Sequence, residues 1–191
     1  TFVSEPRIEV LEGELISITT QMEKQGVEPE TVVIKLQKDT LDLAESQEMG
    51  YPIGESVYVI QRIRKANGVN IVLENTKMPC RKVPDIDQYD LEKNSVFSLM
   101  ADVYQFEELL VHQRIEADTA TKEEAELLEV EPGSPIICVK RVVRDPSNEV
   151  VEYALDIYPA SRIRFVYNGA INLKVSQQRF REPSMPSVET R

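Results

Sequence analysis

Residues 55–79, ESVYVIQRIRKANGVNIVLENTKMP, constrain the fold more than any other stretch of this chain. Two runs rich in Val, Ile and Tyr flank Asn67-Gly68. That dipeptide is the strongest short-range signal for a β-hairpin, because the tight turn that suits the strand twist needs positive φ at both central positions. In the first strand Tyr58, Ile60, Arg62 and Arg64 share one side, and Val57, Val59, Gln61 and Ile63 share the other. Both sides begin apolar, so both are expected to be at least partly covered. A covered arginine needs a partner or a ligand, and the guanidinium fork suits phosphate, sulfate or carboxylate oxygens. The alternative is that Arg62 and Arg64 snorkel to solvent or pair with Asp and Glu.

Glu74 on the return strand depends on register. A two-residue loop at Asn67-Gly68 pairs Arg62 with Leu73 and sends Glu74 to the opposite face. A three-residue loop, Asn67 to Val69, pairs Arg62 with Glu74.

The rest of the chain reads as short helices interleaved with paired strands. A helix is expected from about Ser17 to Lys24, capped by Ser17 or Thr19 and stopped at Gly26. An extended run follows over 32–38. A second helix is capped by Asp39 or Thr40, has Leu41, Ala44 and Met49 on its apolar side, and ends at Gly50. Residues 81–94 form a crossing loop with one helical turn at Gln88 to Leu91. Ser95 caps a helix over SVFSLMADVYQ, with Val96, Leu99, Met100 and Val103 on one stripe. LLVHQRIEADTA, 109–120, is a strand, and Thr121 with Glu124 has capping-box spacing before the next helix. IICVKRVVRD and EVVEYALDIYP are strands around a Pro146–Asn148 turn, and a further strand is expected over 163–169. The polar tail from about Ser176 reads as ragged or disordered. Hairpin-linked strands with helices packed on one face make an α+β fold built on an antiparallel sheet. No repeat and no compositional break demands a second domain.

Charge and motif content narrow the function. With 33 acids against 22 bases and a net charge of −11, the chain is a poor match for non-specific contact with nucleic acid phosphates. No run approaches the roughly 18 apolar residues of a membrane span. The opening TFVSEPRIEV has no signal-peptide character and no initiator Met, and reads as the start of a fragment or a processed chain. Cys80 and Cys138 read as buried thiols in a reducing compartment. One histidine and two isolated cysteines give little support to a metal site. Phosphate-loop, dinucleotide-binding and serine-nucleophile motifs are absent. No catalytic residue and no cofactor is implied.

Two further groups stand out. Glu152, Ala154, Asp156 and Tyr158 fall on one side of their strand, where a carboxylate and a phenol can receive ligand hydroxyls or an amine, or can simply decorate a surface. His112 lies in a strand pattern and either faces solvent or lines a pocket.

In order along the chain, these segments resemble the effector-binding (UTRA) domain of GntR-type bacterial transcription regulators of the HutC-like branch. SITTQMEKQGVEP is similar to that family's SF-T-x-x-M-x-x-x-G-x-x-P segment. VYVIQRIRKANGVNIVLENTKMP is similar to its RxR-x-x-(D/N)G-x-P-x-x-x-E-x-S-x-x-P element, and NSVFSLM to its GS(L/I)Y-x-x-L helix start. IEADTATKEEAELLEVEPGSPIICVKR resembles its E-x-x-x-A-x-x-x-x-A-x-x-L-x-(V/I)-x-x-G-x-P-x-L-x-x-x-R run, and EVVEYALDIYPASRIRFV its Y-R-x-D-R-x-x-F end. Leu110 stands where sugar-phosphate-sensing relatives have an arginine, Asn70 replaces a proline, and Pro159-Ala160-Ser161 replaces an R-x-D segment, with Arg162 retained.

The resemblance implies a chorismate-lyase-like fold, a central antiparallel sheet with flanking helices, over about 1–170, with 171–191 as a polar tail. It implies a cytoplasmic, homodimeric, non-enzymatic sensor of a small polar or anionic metabolite (a sugar phosphate, amino sugar or carboxylate). DNA is then contacted only through an N-terminal winged helix-turn-helix outside this chain. By motif match, Arg62, Arg64 and Ser95 hold the anionic part of the ligand, Glu74, Glu152 and Tyr158 its polar body, and His112 is an auxiliary candidate. The competing expectations are an enzyme of chorismate-lyase type and a dimerisation domain without a ligand.

Overall fold

The computed structural model describes residues 7–12 and 18–167. The elements, in chain order, are β1 (Ile8–Glu12), α1 (Ile18–Lys24), β2 (Pro29–Thr40), α2 (Leu43–Met49), β3 (Ser56–Ala66), β4 (Val69–Pro79), α3 (Val96–Asp102), β5 (Leu110–Thr119), α4 (Lys122–Leu128), β6 (Pro135–Arg144), β7 (Val150–Pro159) and β8 (Ile163–Tyr167). Six strands form one antiparallel sheet in the order β2-β3-β4-β7-β6-β5, and β1 pairs in parallel with β8 beside it. This is an α+β fold with a central antiparallel sheet. The β1 strand and its parallel pairing had no signal in the local pattern.

The helices cover both faces of the sheet rather than one. Tyr58 and Ile60 of β3 pack with Val96, Leu99 and Met100 of α3, and Val72, Val139 and Tyr158 pack with Met22 of α1 on that same face. Alternate residues point the other way, where Val57 meets Met49 of α2, and Ile63 and Leu73 meet Ala125 and Leu128 of α4.

Local chemistry explains where the helices begin. Thr121 and Glu124 form the reciprocal capping box before α4. The same device starts α2, but its cap is Asp42 with Glu45, not Asp39 or Thr40, which still belong to β2. Gly50 closes α2 in the left-handed conformation. Ala44 is exposed, and the buried side of this segment is Leu41 and Met49. Ser17 lies outside the described residues, and Thr19 is inside α1 rather than capping it. The helical turn in the crossing loop is a 3-10 turn at Ile86–Gln88, two residues earlier than expected. Helix α3 stops at Asp102, so Val103 leaves the stripe and is 40% exposed. Both cysteines are free and half-buried.

Candidate functional site

The hairpin register is set by two features together. The turn itself has two residues, since Ala66 pairs with Val69. Asn67 (φ 50°) and Gly68 (φ 80°) take the positive φ values that such a turn demands. Between Lys65–Asn70 and Arg64–Val72 the ladder then slips by one residue, leaving Ile71 as a β-bulge. The slip brings Arg62 opposite Glu74 and puts the carboxylate on the arginine face.

That face carries a buried charged cluster between its two apolar patches. Arg62, Arg64 and Glu74 are 4%, 6% and 8% exposed, and Glu152 and Asp156 are 2% exposed each. Glu74 Oε2 accepts from Arg62 Nη2 at 2.8 Å and from Arg64 Nε at 3.0 Å. Arg64 Nη1 also donates to Thr31 Oγ1 (2.7 Å) and to Thr19 Oγ1 (3.2 Å), tying the arginine to β2 and α1. Arg62 Nη1 reaches the Leu91 carbonyl at 3.4 Å.

Across the sheet, Glu74 of β4 faces Asp156 of β7. Arg141 of β6 closes that side. It grips Glu152 through Nε and Nη2, both at 3.2 Å, and donates from Nη1 to Asp156 at 2.8 Å. Its guanidinium lies 5.6 Å from the Phe97 ring centre. Two buried polar atoms of the cluster have no hydrogen-bond partner, Arg62 Nε and Asp156 Oδ1.

The electrostatics follow from burial and neighbours. Burial alone would push Glu74 up, but Arg62, Arg64 and Arg141 outweigh it and hold the carboxyl down at about 2. Burial dominates at Asp156, where Arg141 only partly offsets it and the neighbouring Glu74 and Glu152 add to the rise, to about 6. One carboxylate is thus held firmly ionised, while the one opposite it keeps its proton to a higher pH than a free aspartate does.

The structure brings Arg62, Arg64, Glu74 and Glu152 together, with Tyr158 further along β7 on the same side, its ring edge-on to Phe165 at 5.5 Å. Ser95 is the half-buried residue before α3, and its side chain makes no capping bond. It stands between Leu91 and Phe97 in sequence, the residues that touch Arg62 and Arg141. His112 is not part of the group. It is exposed on β5 and pairs with Val142, whose neighbour Arg141 points to the cluster from the opposite face.

Three residues that join the cluster escaped the site reading of the sequence: Thr19, Thr31 and Arg141. Thr19 and Arg141 had a signal, since Thr19 is the threonine of the SITTQM segment and Arg141 the last residue of PGSPIICVKR. Asp156 stands on the strand face that alternation already grouped with Glu152 and Tyr158. Two of the noted departures have structural work elsewhere. Asn70 Nδ2 donates to the Leu127 carbonyl at 2.9 Å, and Arg162 donates to the carbonyls of Asn70, Leu128 and Glu129 at 2.6–2.9 Å. Together they tie the end of α4 to the hairpin. The described residues also form a cleft of about 320 Å³ at the hairpin tip, lined by Arg7, Gln25, Val27, Val69 and Arg162 among others, which shares no residue with the charged cluster.

The model of one family, the UTRA domain, matches residues 24–164. The chain belongs to the UTRA domain family. It is the effector-binding domain type of GntR-family, HutC-type transcription regulators. This UTRA domain is 27% identical over 169 residues to the HTH-type transcriptional repressor NagR of Bacillus subtilis, covering 87% of this chain and 68% of the relative. It is 24% identical to a histidine utilization repressor of Pseudomonas putida, covering 86% and 65%. The chain thus spans about two thirds of the length of these relatives. In fold, the UTRA domain matches the crystal structure of PhnF from Mycobacterium smegmatis with a TM-score of 0.81 at 20% identity, covering 88% of this chain and 74% of that one. The effector domain of PhnF alone gives 0.76, also at 20% identity, covering 85% and 100%. Among the described residues no helix is long and apolar enough to cross a membrane.

Proposed function

We propose that this UTRA domain senses a small polar or anionic metabolite, a sugar phosphate, amino sugar or carboxylate, at the charged face of its sheet. Arg62, Arg64 and Ser95 receive the anionic group, and Glu74, Glu152 and Tyr158 the polar body. The observation that carries this reading is the buried cluster itself, three arginines and three carboxylates on one face with Arg62 Nε and Asp156 Oδ1 unsatisfied. A folded protein keeps such atoms unpaired at a cost of about 1–3 kcal/mol each, and ligand oxygens and donors offset that cost. His112 stays outside the site.

The domain works as a binding module and not as an enzyme. It spans about 1–170 with 171–191 as a polar tail, acts as a homodimer in the cytoplasm, and reaches DNA through an N-terminal winged helix-turn-helix outside this chain. The acidic net charge of −11 suits a domain that leaves phosphate contact to another module. Ligand binding controls DNA affinity only if the ligand prefers one arrangement of the dimer over the other.

The test is thermal unfolding against a panel of sugar phosphates, amino sugars and carboxylates. A ligand of the native state raises the melting temperature, and at about 100 times its dissociation constant it adds about 2.7 kcal/mol. Arg64→Lys keeps the charge but loses the fork, and should abolish most of the shift. A panel without any shift, or a shift indifferent to Arg64→Lys, would overturn the reading. Turnover of chorismate by the purified chain would replace it with the enzyme reading.

A further inference from the structure

The cleft at the hairpin tip stands apart from the charged cluster, and its lining has a chemistry of its own. Ile8, Val27, Ala66, Val69 and Ile71 supply apolar walls. Two cations join them, Arg7 and Arg162, and no acidic side chain does. In a chain with 33 acids against 22 bases, that lining reverses the overall charge locally. A cleft that carries one sign of charge on low-dielectric walls concentrates ions of the opposite sign.

The walls are held in place by the fold itself. Gln25 Nε2 donates to the carbonyls of Glu9 (2.8 Å) and Gln21 (3.0 Å), and its Oε1 accepts from the Glu9 amide at 3.0 Å. This side chain pins the end of α1 to β1. Asn67 pins the hairpin tip, its Oδ1 accepting from the Glu28 amide at 3.0 Å and its own amide donating to the Glu28 carbonyl at 2.9 Å. Arg162 commits three N–H donors to the carbonyls of Asn70, Leu128 and Glu129. Those carbonyls fix the guanidinium without neutralising it, and Nε–H and one Nη2–H are left over. Neither arginine forms an ion pair among the described residues, and the nearby Glu9 is held by Arg164 at 3.0 Å.

Size and composition narrow the guest. A volume of about 320 Å³ lies at the lower end of the range for small-molecule sites. It equals the liquid volume of about ten waters, and so suits a guest of about ten non-hydrogen atoms. Five apolar side chains beside two cations favour an apolar body with one charged end. A carboxylate fits that end, since its two oxygens match the guanidinium fork. A doubly charged head would cost more to strip of water among apolar walls.

We propose that this cleft is a second small-molecule site, which takes a small apolar carboxylate with its charge on Arg7 and Arg162 and its body against Val69 and Ile71. It is independent of the charged cluster, although Ile71 is the bulged residue that sets Glu74 opposite Arg62, so both sites lie on one hairpin.

Heteronuclear NMR on the isotope-labelled 191-residue chain tests this with phenylacetate, which has the required size and a single charge. Titration should move the amides of 66–71 saturably, with those of Ile8 and Val27. Phenylacetamide, of the same shape without the charge, should bind about tenfold more weakly, the low end for a charged hydrogen bond. Phenylacetate should weaken by the same factor on Arg7→Ala. Val69→Asp puts an acid among the lining residues and should abolish the shifts. Arg7 and Val69 are exposed, so both variant spectra should otherwise overlay the wild type. If Val69→Asp does not fold, Arg7→Ala and phenylacetamide decide. Shifts centred on Glu74 and Asp156 instead would overturn the cleft site and leave the reading of the charged cluster standing. Equal shifts from inorganic phosphate would overturn the apolar guest. An absence of shifts at about 10 mM, beyond the millimolar end of binding, overturns the site outright.

Discussion

Arg62 and Glu74 face one another across β3 and β4 because Ile71 is bulged out of the ladder. Without the bulge, the two-residue turn would place Leu73 opposite Arg62 and send Glu74 to the α4 face, among Ile63, Leu128 and Ile157. One extra residue thus decides whether two buried arginines have a counter-charge.

Glu74→Gln should therefore be severe. It leaves two guanidiniums buried with no facing carboxylate, and removing one partner of a buried pair costs about 3–5 kcal/mol. Urea unfolding at pH 7 measures this as a fall in the midpoint at constant slope. A midpoint within error of wild type would show that Arg62 and Arg64 do not depend on Glu74.

The cluster also predicts opposite pH responses from two facing carboxylates. Asp156 rises from its ordinary 3.8 to about 6, so between those values the folded state holds the proton and the unfolded state has lost it. Stability from this group falls as pH rises through that window, by up to about 1.4 kcal/mol per pH unit. Glu74 falls from 4.5 to about 2, so its contribution is present above 4.5 and is lost as pH drops below it. Subtracting the Asp156→Asn stability profile from wild type between pH 3.8 and 7 should leave a difference that decreases with pH and flattens above about 6. A flat difference throughout would show that Asp156 is ionised in both states.

Arg162 has a mechanical part. Its guanidinium donates to the carbonyls of Leu128 and Glu129, which the end of α4 leaves unpaired, and to Asn70 in the hairpin. Arg162→Ala should cost about 1.5–3 kcal/mol, the range for a charged hydrogen-bonding group. Hydrogen exchange should then show faster opening of 122–128 than of β3 and β4. Uniform loss of protection would argue against a local tie.

The turn offers a smaller, cleaner test. Gly68 has φ of +80° and open space where a Cβ would stand. Gly68→Ala then costs only the left-handed backbone penalty, about 1 kcal/mol, read as a drop in melting temperature. A neutral result would mean that the turn relaxes to another type.

Much of this molecule was legible residue by residue. Asn67-Gly68 specified the hairpin, Thr121 with Glu124 specified a helix start, and alternation placed Arg62 and Arg64 on one side of their strand. These are demands of φ, of unpaired helix N–H groups and of the two-residue strand period, and each is satisfied within a few residues. The ordered motifs extended that reading to the fold class and family. The remainder depended on contacts between segments far apart in the chain. The Ile71 bulge chose the face for Glu74, the order β4-β7-β6 delivered Arg141 to Glu152 and Asp156, and the same alternation sent His112 to the opposite face. Helices α1 and α3, with the crossing loop, turned a row of charges on one face into a buried cluster. Sequence by itself determined which residues share a strand face. Tertiary structure decided which of them lose water together, because only burial makes a carboxylate choose between an arginine and a proton.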